Sequence, residues 1–179
     1  MPLTFVRATN ENQIFSLLRK EWDVEMEANG DAPPPGLYGS MMGYASEIIE
    51  RRDGDPKYGI FALLQCDEDG NVLSYEAFAH ISHKLPNTTD STLRVLWNLL
   101  APRHQLGERR SDELARIMTA IIAGAFDLSQ GNMPAREVKV YLGNAIDREF
   151  VTIAALFLET RDASISFAVR GSWLHIAPR

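Results

Sequence analysis

Four histidines are the side chains of this sequence best suited to proton transfer near neutral pH. They are His80, His83, His104 and His175, and none of them lies in a diagnostic catalytic motif. His80 and His83 are three residues apart, so an extended strand points them to opposite faces, which is a poor arrangement for a metal pair. The sequence therefore predicts no metal site.

Acidic and phenolic side chains add two candidates for acid–base chemistry, Glu76 and Tyr141. Glu76 and His80 share one face of a predicted strand, and if that face lines a cleft, either could accept a proton from a bound substrate. A solvent-facing sheet surface would produce the same alternation, so both interpretations stay open. Tyr141, on a later predicted strand, is a candidate proton donor, with a core or edge position as the alternative. The acidic run from Glu21 to Glu27 either attracts a cationic substrate or forms a solvated helix face.

The composition is that of a folded globular domain. Among 179 residues, 45% are hydrophobic and 23% are charged, and the formal net charge is −6. This charge excludes general affinity for nucleic acid or for an anionic membrane. The sequence shows neither a leader pattern nor a long apolar segment, which predicts a cytoplasmic protein with Cys66 as a structural thiol.

Seven strands are predicted from apolar runs and from alternation, with turn residues between them. Arg170 and Gly171 form the turn of the last hairpin. The strands are Leu3–Arg7, Tyr58–Cys66, Val72–Ile81, Leu93–Leu100, Val138–Leu142, Ala163–Val169 and Trp173–Ile176.

Helical spacing predicts four helices between these strands. The first begins at Asn10, which forms a capping-box pattern with Gln13, and the second begins at Leu37 and ends at Arg51-Arg52-Asp53-Gly54. The third begins at Ser111 and the fourth is capped by Asp147. The predicted fold is α/β, a mixed and mostly antiparallel sheet in one domain over residues 1–179, in the order β-α-α-β-β-β-α-β-α-β-β.

A short motif follows the fourth predicted strand, where Pro102 precedes Gln105 by three residues. With this motif and this order of elements, the chain resembles the GCN5-related N-acetyltransferase (GNAT) superfamily. In that superfamily the fourth and fifth strands part to admit an acyl-pantetheine chain, and a Gln/Arg-x-x-Gly-x-Gly/Ala loop binds the pyrophosphate through bare backbone amides. The resemblance implies acetyl-CoA or another acyl-CoA as the donor and a small amine as the acceptor.

The loop departs from the superfamily pattern, because Glu108 and Arg110 occupy the two glycine positions. The later superfamily signature, Asn-x-x-Ala-x-x-x-Tyr, keeps only Asn144, and Val151 occupies the position of its proton-donating tyrosine. The arginines of the loop either form a remodelled phosphate site or balance the neighbouring acidic residues in a solvated turn. The resemblance implies that the donor contacts Leu99, Leu100, Ala101, Arg103, Gln105, Leu106, Gly107, Arg109, Arg110 and Asn144.

Three functions are compatible with these residues. The first is transfer of an acyl group to a small amine. The second is a fold that has lost catalysis and binds a ligand or a protein, which the missing glycines and tyrosine favour. The third is an enzyme similar to acyl-homoserine lactone synthases, which Arg94–Trp97 followed by Arg103 loosely resembles and which would use acyl carrier protein. Such sheets can form a homodimer through their terminal strands, although the sequence does not specify one.

Overall fold

Seven strands and four helices are found in the residues that the computed structural model describes, 2–28, 30, 37–106, 111–143, 151–152 and 165–179. The strands are β1 (Leu3–Arg7), β2 (Tyr58–Cys66), β3 (Val72–Lys84), β4 (Thr92–Leu100), β5 (Glu137–Tyr141), β6 (Ile165–Arg170) and β7 (Trp173–Pro178). The helices are α1 (Ile14–Ala28), α2 (Leu37–Arg52), α3 (Pro102–Leu106) and α4 (Ser111–Gln130).

The strands form one mixed sheet in the order β1-β2-β3-β4-β5-β7-β6. β4 and β5 are parallel, whereas β1 pairs with β2, and β7 with both β5 and β6, in antiparallel fashion. The predicted fold class is therefore confirmed. The short helix α3 was not predicted, and most of the predicted fourth helix lies outside the described residues, with only Val151 and Thr152 seen to be helical.

The described residues divide into two compact units, of which the first comprises residues 1–80 and 98–109. In this unit α2 packs against β2. Trp22 of α1 is fully buried, and its ring lies 5.5 Å from that of Phe78 on β3. β2 and the middle of β3 are buried along most of their length. β2 is accordingly almost continuously apolar, as is typical of strands covered on both faces, whereas β3 also buries Glu76 and His80.

The start of α1 differs from the prediction. The helix begins at Ile14, because Gln13 has a φ of 55°, which an α-helix does not allow. Asn12 caps the helix by accepting a hydrogen bond from the amide of Ile14, while the side chain of Asn10 donates to the carbonyl of Ile49. The buried face of α1 consequently carries Phe15, Leu18, Trp22 and Met26, whereas Leu17 is 51% exposed.

The second unit comprises residues 81–97 and 110–179. In this unit α4 packs against β5 through a stripe of apolar residues that includes Ile117 and Ile121, both fully buried. The β6–β7 hairpin turns at Gly171, whose φ of 60° suits glycine. The parallel β4–β5 register runs from Thr92↔Glu137 to Val95↔Val140, so β4 continues for five residues past its last paired position with β5.

Across the described part of the chain, each helix is too short or too polar to cross a membrane.

Candidate active site

Glu76 is a buried carboxylate at the centre of a polar cluster in the first unit. It lies on β3 between apolar neighbours and is 2% exposed. Its Oε2 is 2.7 Å from Nε2 of His104, and its Oε1 accepts a hydrogen bond from the hydroxyl of Ser74 and lies 3.0 Å from Nη2 of Arg103. A buried carboxylate needs such partners, because its desolvation is otherwise costly.

These partners keep Glu76 ionised. Burial alone would raise the pKa of Glu76, but the hydrogen bonds from His104 and Ser74 and the charge of Arg103 lower the pKa to about 2. A carboxylate with so low a pKa is a weak base at neutral pH. Glu76 is thus suited to hold and polarise its neighbours more than to remove a proton from a substrate.

His104 is positioned by two backbone hydrogen bonds, one at the start of α3 and one that links the preceding residue Ala101 to β3. Its own amide donates to the carbonyl of Ala101, and the amide of Ala101 donates to the carbonyl of Glu76. Because ionised Glu76 only accepts hydrogen bonds, Nε2 of His104 is the donor to it. In the neutral imidazole Nδ1 then carries the lone pair, so a carboxylate–histidine pair of this kind can accept a proton at Nδ1.

Arg103 is enclosed by acidic side chains. Its Nη1 contacts the carboxylates of Glu21 and Glu25 on α1, and its Nη2 contacts Glu76 and donates to the carbonyl of Tyr75 at 3.0 Å. Burial alone would lower the pKa of Arg103, but the carboxylates of Glu76 and Glu25 raise it. The guanidinium therefore balances three carboxylates within the first unit, and its predicted contact with the donor stays a prediction.

The same contacts give two acidic residues of α1, Glu21 and Glu25, partners within the first unit. Glu21 accepts a hydrogen bond from the amide of Tyr75 in addition to its contact with Arg103. Glu25 accepts bonds from both the amide and the guanidinium of Arg103. These two carboxylates are joined to α3 and β3, and so they are neither a solvated face nor a free site for a cationic ligand.

His80, the second catalytic candidate, is 2% exposed and lies on β3 between two tyrosines. Its ring centroid is 5.6 Å from that of Tyr44 and 6.2 Å from that of Tyr58. Tyr141, the third candidate, is 41% exposed on β5 and contacts Trp173 of β7 edge to face. Neither residue belongs to the cluster around Glu76, and their roles in catalysis stay predictions.

The described residues predicted to bind the donor lie at the end of β4 and in α3. Leu99 and Ala101 are buried, and the amide of Ala101 is occupied by Glu76. Gln105 donates from its side chain to the carbonyl of Leu100 at 2.7 Å. Leu106 ends α3. The remaining predicted residues, Gly107, Arg109, Arg110 and Asn144, lie outside the described residues.

Comparison of the sequence with known proteins identifies no relative. No protein-family model matches the chain, and no curated protein matches it either.

Comparison of the structure with solved structures finds similar chains. They include a Desulfovibrio desulfuricans protein assigned to the GNAT family of acetyltransferases, 17% identical, with a TM-score of 0.45 over 99% of this chain and 97% of that one. A single-residue mutant of the spermidine N-acetyltransferase SpeG from Vibrio cholerae is 12% identical, with a TM-score of 0.47 over 98% and 91%. A Sphaerobacter thermophilus protein assigned as an acetyltransferase is 11% identical, with a TM-score of 0.46 over 99% and 94%.

Of these three structures, the Desulfovibrio desulfuricans protein carries the superfamily name that the sequence resemblance suggested.

Proposed function

We propose that this protein is an N-acyltransferase that moves an acyl group from acyl-CoA, or from another acyl-pantetheine donor, to a small amine. The observation that carries the proposal is the mixed sheet in which parallel β4 and β5 keep their register only as far as Val95↔Val140, while β4 continues to Leu100. A strand that runs past its paired partner offers backbone groups to an extended ligand.

The reaction requires positioning and proton transfer more than covalent catalysis. The donor supplies an activated thioester. The amine nitrogen bonds to the acyl carbon as the carbon–sulfur bond breaks, and the proton lost by nitrogen passes to a base while the departing thiolate gains one.

Within this proposal the three catalytic candidates have different parts. His80 and Tyr141 keep the predicted roles of base and proton donor. Glu76 is a positioning residue, because its low pKa suits it to hold Nε2 of His104 and leave Nδ1 as a second candidate base. The donor phosphates are assigned to Arg109 and Arg110, since Arg103 is engaged by Glu21, Glu25 and Glu76.

A second candidate function is a binding domain without catalysis. The contacts of Arg103 with three carboxylates favour it, because an arginine that the resemblance assigns to the donor is engaged within the first unit. The third candidate function is an enzyme that takes its acyl group from acyl carrier protein.

Calorimetric titration tests the proposal directly. CoA, acetyl-CoA and a long-chain acyl-CoA are titrated into the protein at two salt concentrations, beside the variant Arg109→Gln/Arg110→Gln. Arg19→Gln/Arg51→Gln is the matched control, since it removes two surface arginines that lie on α1 and α2. We expect salt-sensitive binding that the loop variant loses and the control keeps, followed by release of free thiol when an accepted amine is added.

Absence of binding to every donor, with a folded protein, would contradict the use of acyl-CoA. Titration with acylated carrier protein then separates the remaining two functions. An enzyme that uses acyl carrier protein must bind it, whereas a non-catalytic binding domain need not. Binding without thiol release over a broad panel of amines would favour the non-catalytic domain.

A further inference from the structure

A cavity in the second unit is lined by charged side chains that the acyl transfer does not use. Its volume is about 660 Å³, within the range of small-molecule sites. Four cationic side chains line it, and we call it the basic pocket. They are Lys84, Arg94, Arg136 and Lys139.

The register of three neighbouring strands explains why these side chains meet. Thr92 and Arg94 of β4 are paired with Glu137 and Lys139 of β5, and Lys139 is paired in turn with His175 of β7. Because alternate residues of a strand share a face, all five side chains stand on one face of the sheet. Lys84 ends β3 and Arg136 directly precedes β5, so both lie beside that face.

Only part of the positive charge is neutralised within the pocket. Glu137 contacts Nζ of Lys139 at 3.1 Å and also accepts a hydrogen bond from Nδ1 of His175. Within the described ranges, no ion pair involves Lys84, Arg94 or Arg136, although the carboxylate of Asp90 also lines the cavity. Among the described residues, three cations that line the basic pocket are therefore without an ion-pair partner, in a protein whose net charge is −6.

Arg94 is the most constrained of these cations. Its Nη2 donates to the hydroxyl of Ser82 at 2.9 Å. Its Nε is buried and has no hydrogen-bond partner among the described residues. A buried donor without a partner is uncommon in folded proteins and is satisfied when a ligand accepts from it.

We propose that the basic pocket binds a small phosphate monoester, with Arg94, Arg136 and Lys84 as its anion ligands. A doubly charged phosphate matches three cations, and its oxygens accept from a guanidinium in a planar, two-point arrangement. Trp173, which also lines the cavity, provides an aromatic surface for the organic part of the ligand. This site lies wholly within the second unit and does not depend on the acyl-transfer proposal.

The test uses the full chain and three probes at constant ionic strength. Inorganic phosphate, adenosine monophosphate and succinate are titrated by calorimetry, and the indole signal of Trp173 is followed by NMR. We expect both phosphates to bind, adenosine monophosphate more tightly than inorganic phosphate, and succinate at least about tenfold more weakly. The indole signal should shift with adenosine monophosphate.

Two exposed residues provide variants that leave the interior unchanged. Lys84→Gln/Arg136→Gln should weaken phosphate binding by about tenfold or more, since each removed charge costs a charge-assisted hydrogen bond. Lys57→Gln, an exposed lysine that does not line the pocket, is the control and should bind as the wild type does. Arg109→Gln/Arg110→Gln should also bind the probes normally, which separates this site from the acyl-donor loop.

Three results would overturn the proposal. One is the absence of binding for every probe by the folded protein. Another is succinate binding as tightly as phosphate. The last is equal weakening by Lys57→Gln or by the loop variant, which would indicate a general charge effect or a different site.

Discussion

The carboxylate of Glu76 lies 2.7 Å from Nε2 of His104, although 28 positions separate the two residues in the sequence. Both side chains are buried, and the backbone bond from Ala101 to Glu76 holds α3 against β3. The pair therefore does two things at once. It satisfies a charge inside the first unit, and it leaves one imidazole nitrogen of His104 oriented by the other.

The low pKa of Glu76 makes the stability of the protein depend on pH. Its pKa falls from 4.5 to about 2 on folding, so its contribution is complete well above pH 4.5 and is lost as the pH falls toward 2. At about 1.4 kcal/mol for each pKa unit, this contribution is about 3 kcal/mol. Glu76→Gln should destabilise the protein by about that amount at pH 7, and the difference should shrink to less than half near pH 3. Urea unfolding of both proteins between pH 7 and pH 3 measures this, and a difference independent of pH would refute it.

Removal of the Arg103 side chain should lower the free energy of unfolding far more than removal of a surface arginine. Arg103→Met leaves three carboxylates close together without a cation, and we expect a loss of about 2–4 kcal/mol in the free energy of unfolding. Arg103→Lys should recover only part of it, because one ammonium cannot span the same partners. Arg51→Met breaks an exposed pair with Glu47 and should cost less than about 1 kcal/mol. If Arg103→Met unfolds like the wild type but binds acyl-CoA more weakly, Arg103 serves the donor instead.

Two glycine-to-alanine substitutions should change the stability of the protein in opposite directions. A methyl group at Gly59 on β2 would lie 2.9 Å from the ring of Phe61 and 3.3 Å from the guanidinium of Arg7. Gly59→Ala should therefore cost about 1–3 kcal/mol. Gly43 lies in α2 with open space around it, so Gly43→Ala should stabilise by about 0.5–1 kcal/mol. Thermal unfolding of both variants measures these changes in stability. If both substitutions stabilise the protein, or both destabilise it, the prediction is wrong.

Trp22 should be the most sensitive position of α1. It is fully buried, its indole N–H donates to the carbonyl of Tyr75 at 2.9 Å, and its ring packs on Phe78. Trp22→Ala should cost about 3–5 kcal/mol, and Trp22→Phe less. Val24 on the same helix is 59% exposed, so Val24→Ala should change stability by less than about 0.5 kcal/mol. Comparable losses for the Trp22→Ala and Val24→Ala variants would contradict the assigned packing of α1.

Local patterns were sufficient for most of the fold. The predicted bounds of β1 and β2 agree with the structure, because their apolar runs and flanking turn residues are continuous in sequence. The start of α1 was wrong, since the capping-box pattern at Asn10 does not reveal the positive φ of Gln13. That backbone angle depends on contacts such as the bond from Asn10 to Ile49, 39 residues away.

The candidate site was less predictable, because it also depends on contacts between residues that are distant in the sequence. Glu76 was singled out in the sequence because it shares a strand face with His80, and its predicted part in catalysis stays a prediction. Its partners could not be found, because Arg103 and His104 follow a proline in what reads as a loop. The contacts of Arg103 with Glu21 and Glu25 span about eighty residues and leave no periodic trace. The basic pocket was missed because its cations come from separate strands whose register no local pattern gives.

The position of β7 has a consequence for synthesis. Among the described strands it is the last to leave the ribosome, yet it lies between β5 and β6 and pairs with both. Until Trp173–Pro178 emerges, the edge of β5 that β7 will cover has no strand to pair with. An unpaired edge is a template for pairing with other chains. The nascent protein is thus most vulnerable to aggregation in the interval between the synthesis of β5 and that of β7, when a chaperone that shields strand edges would have its largest effect on yield.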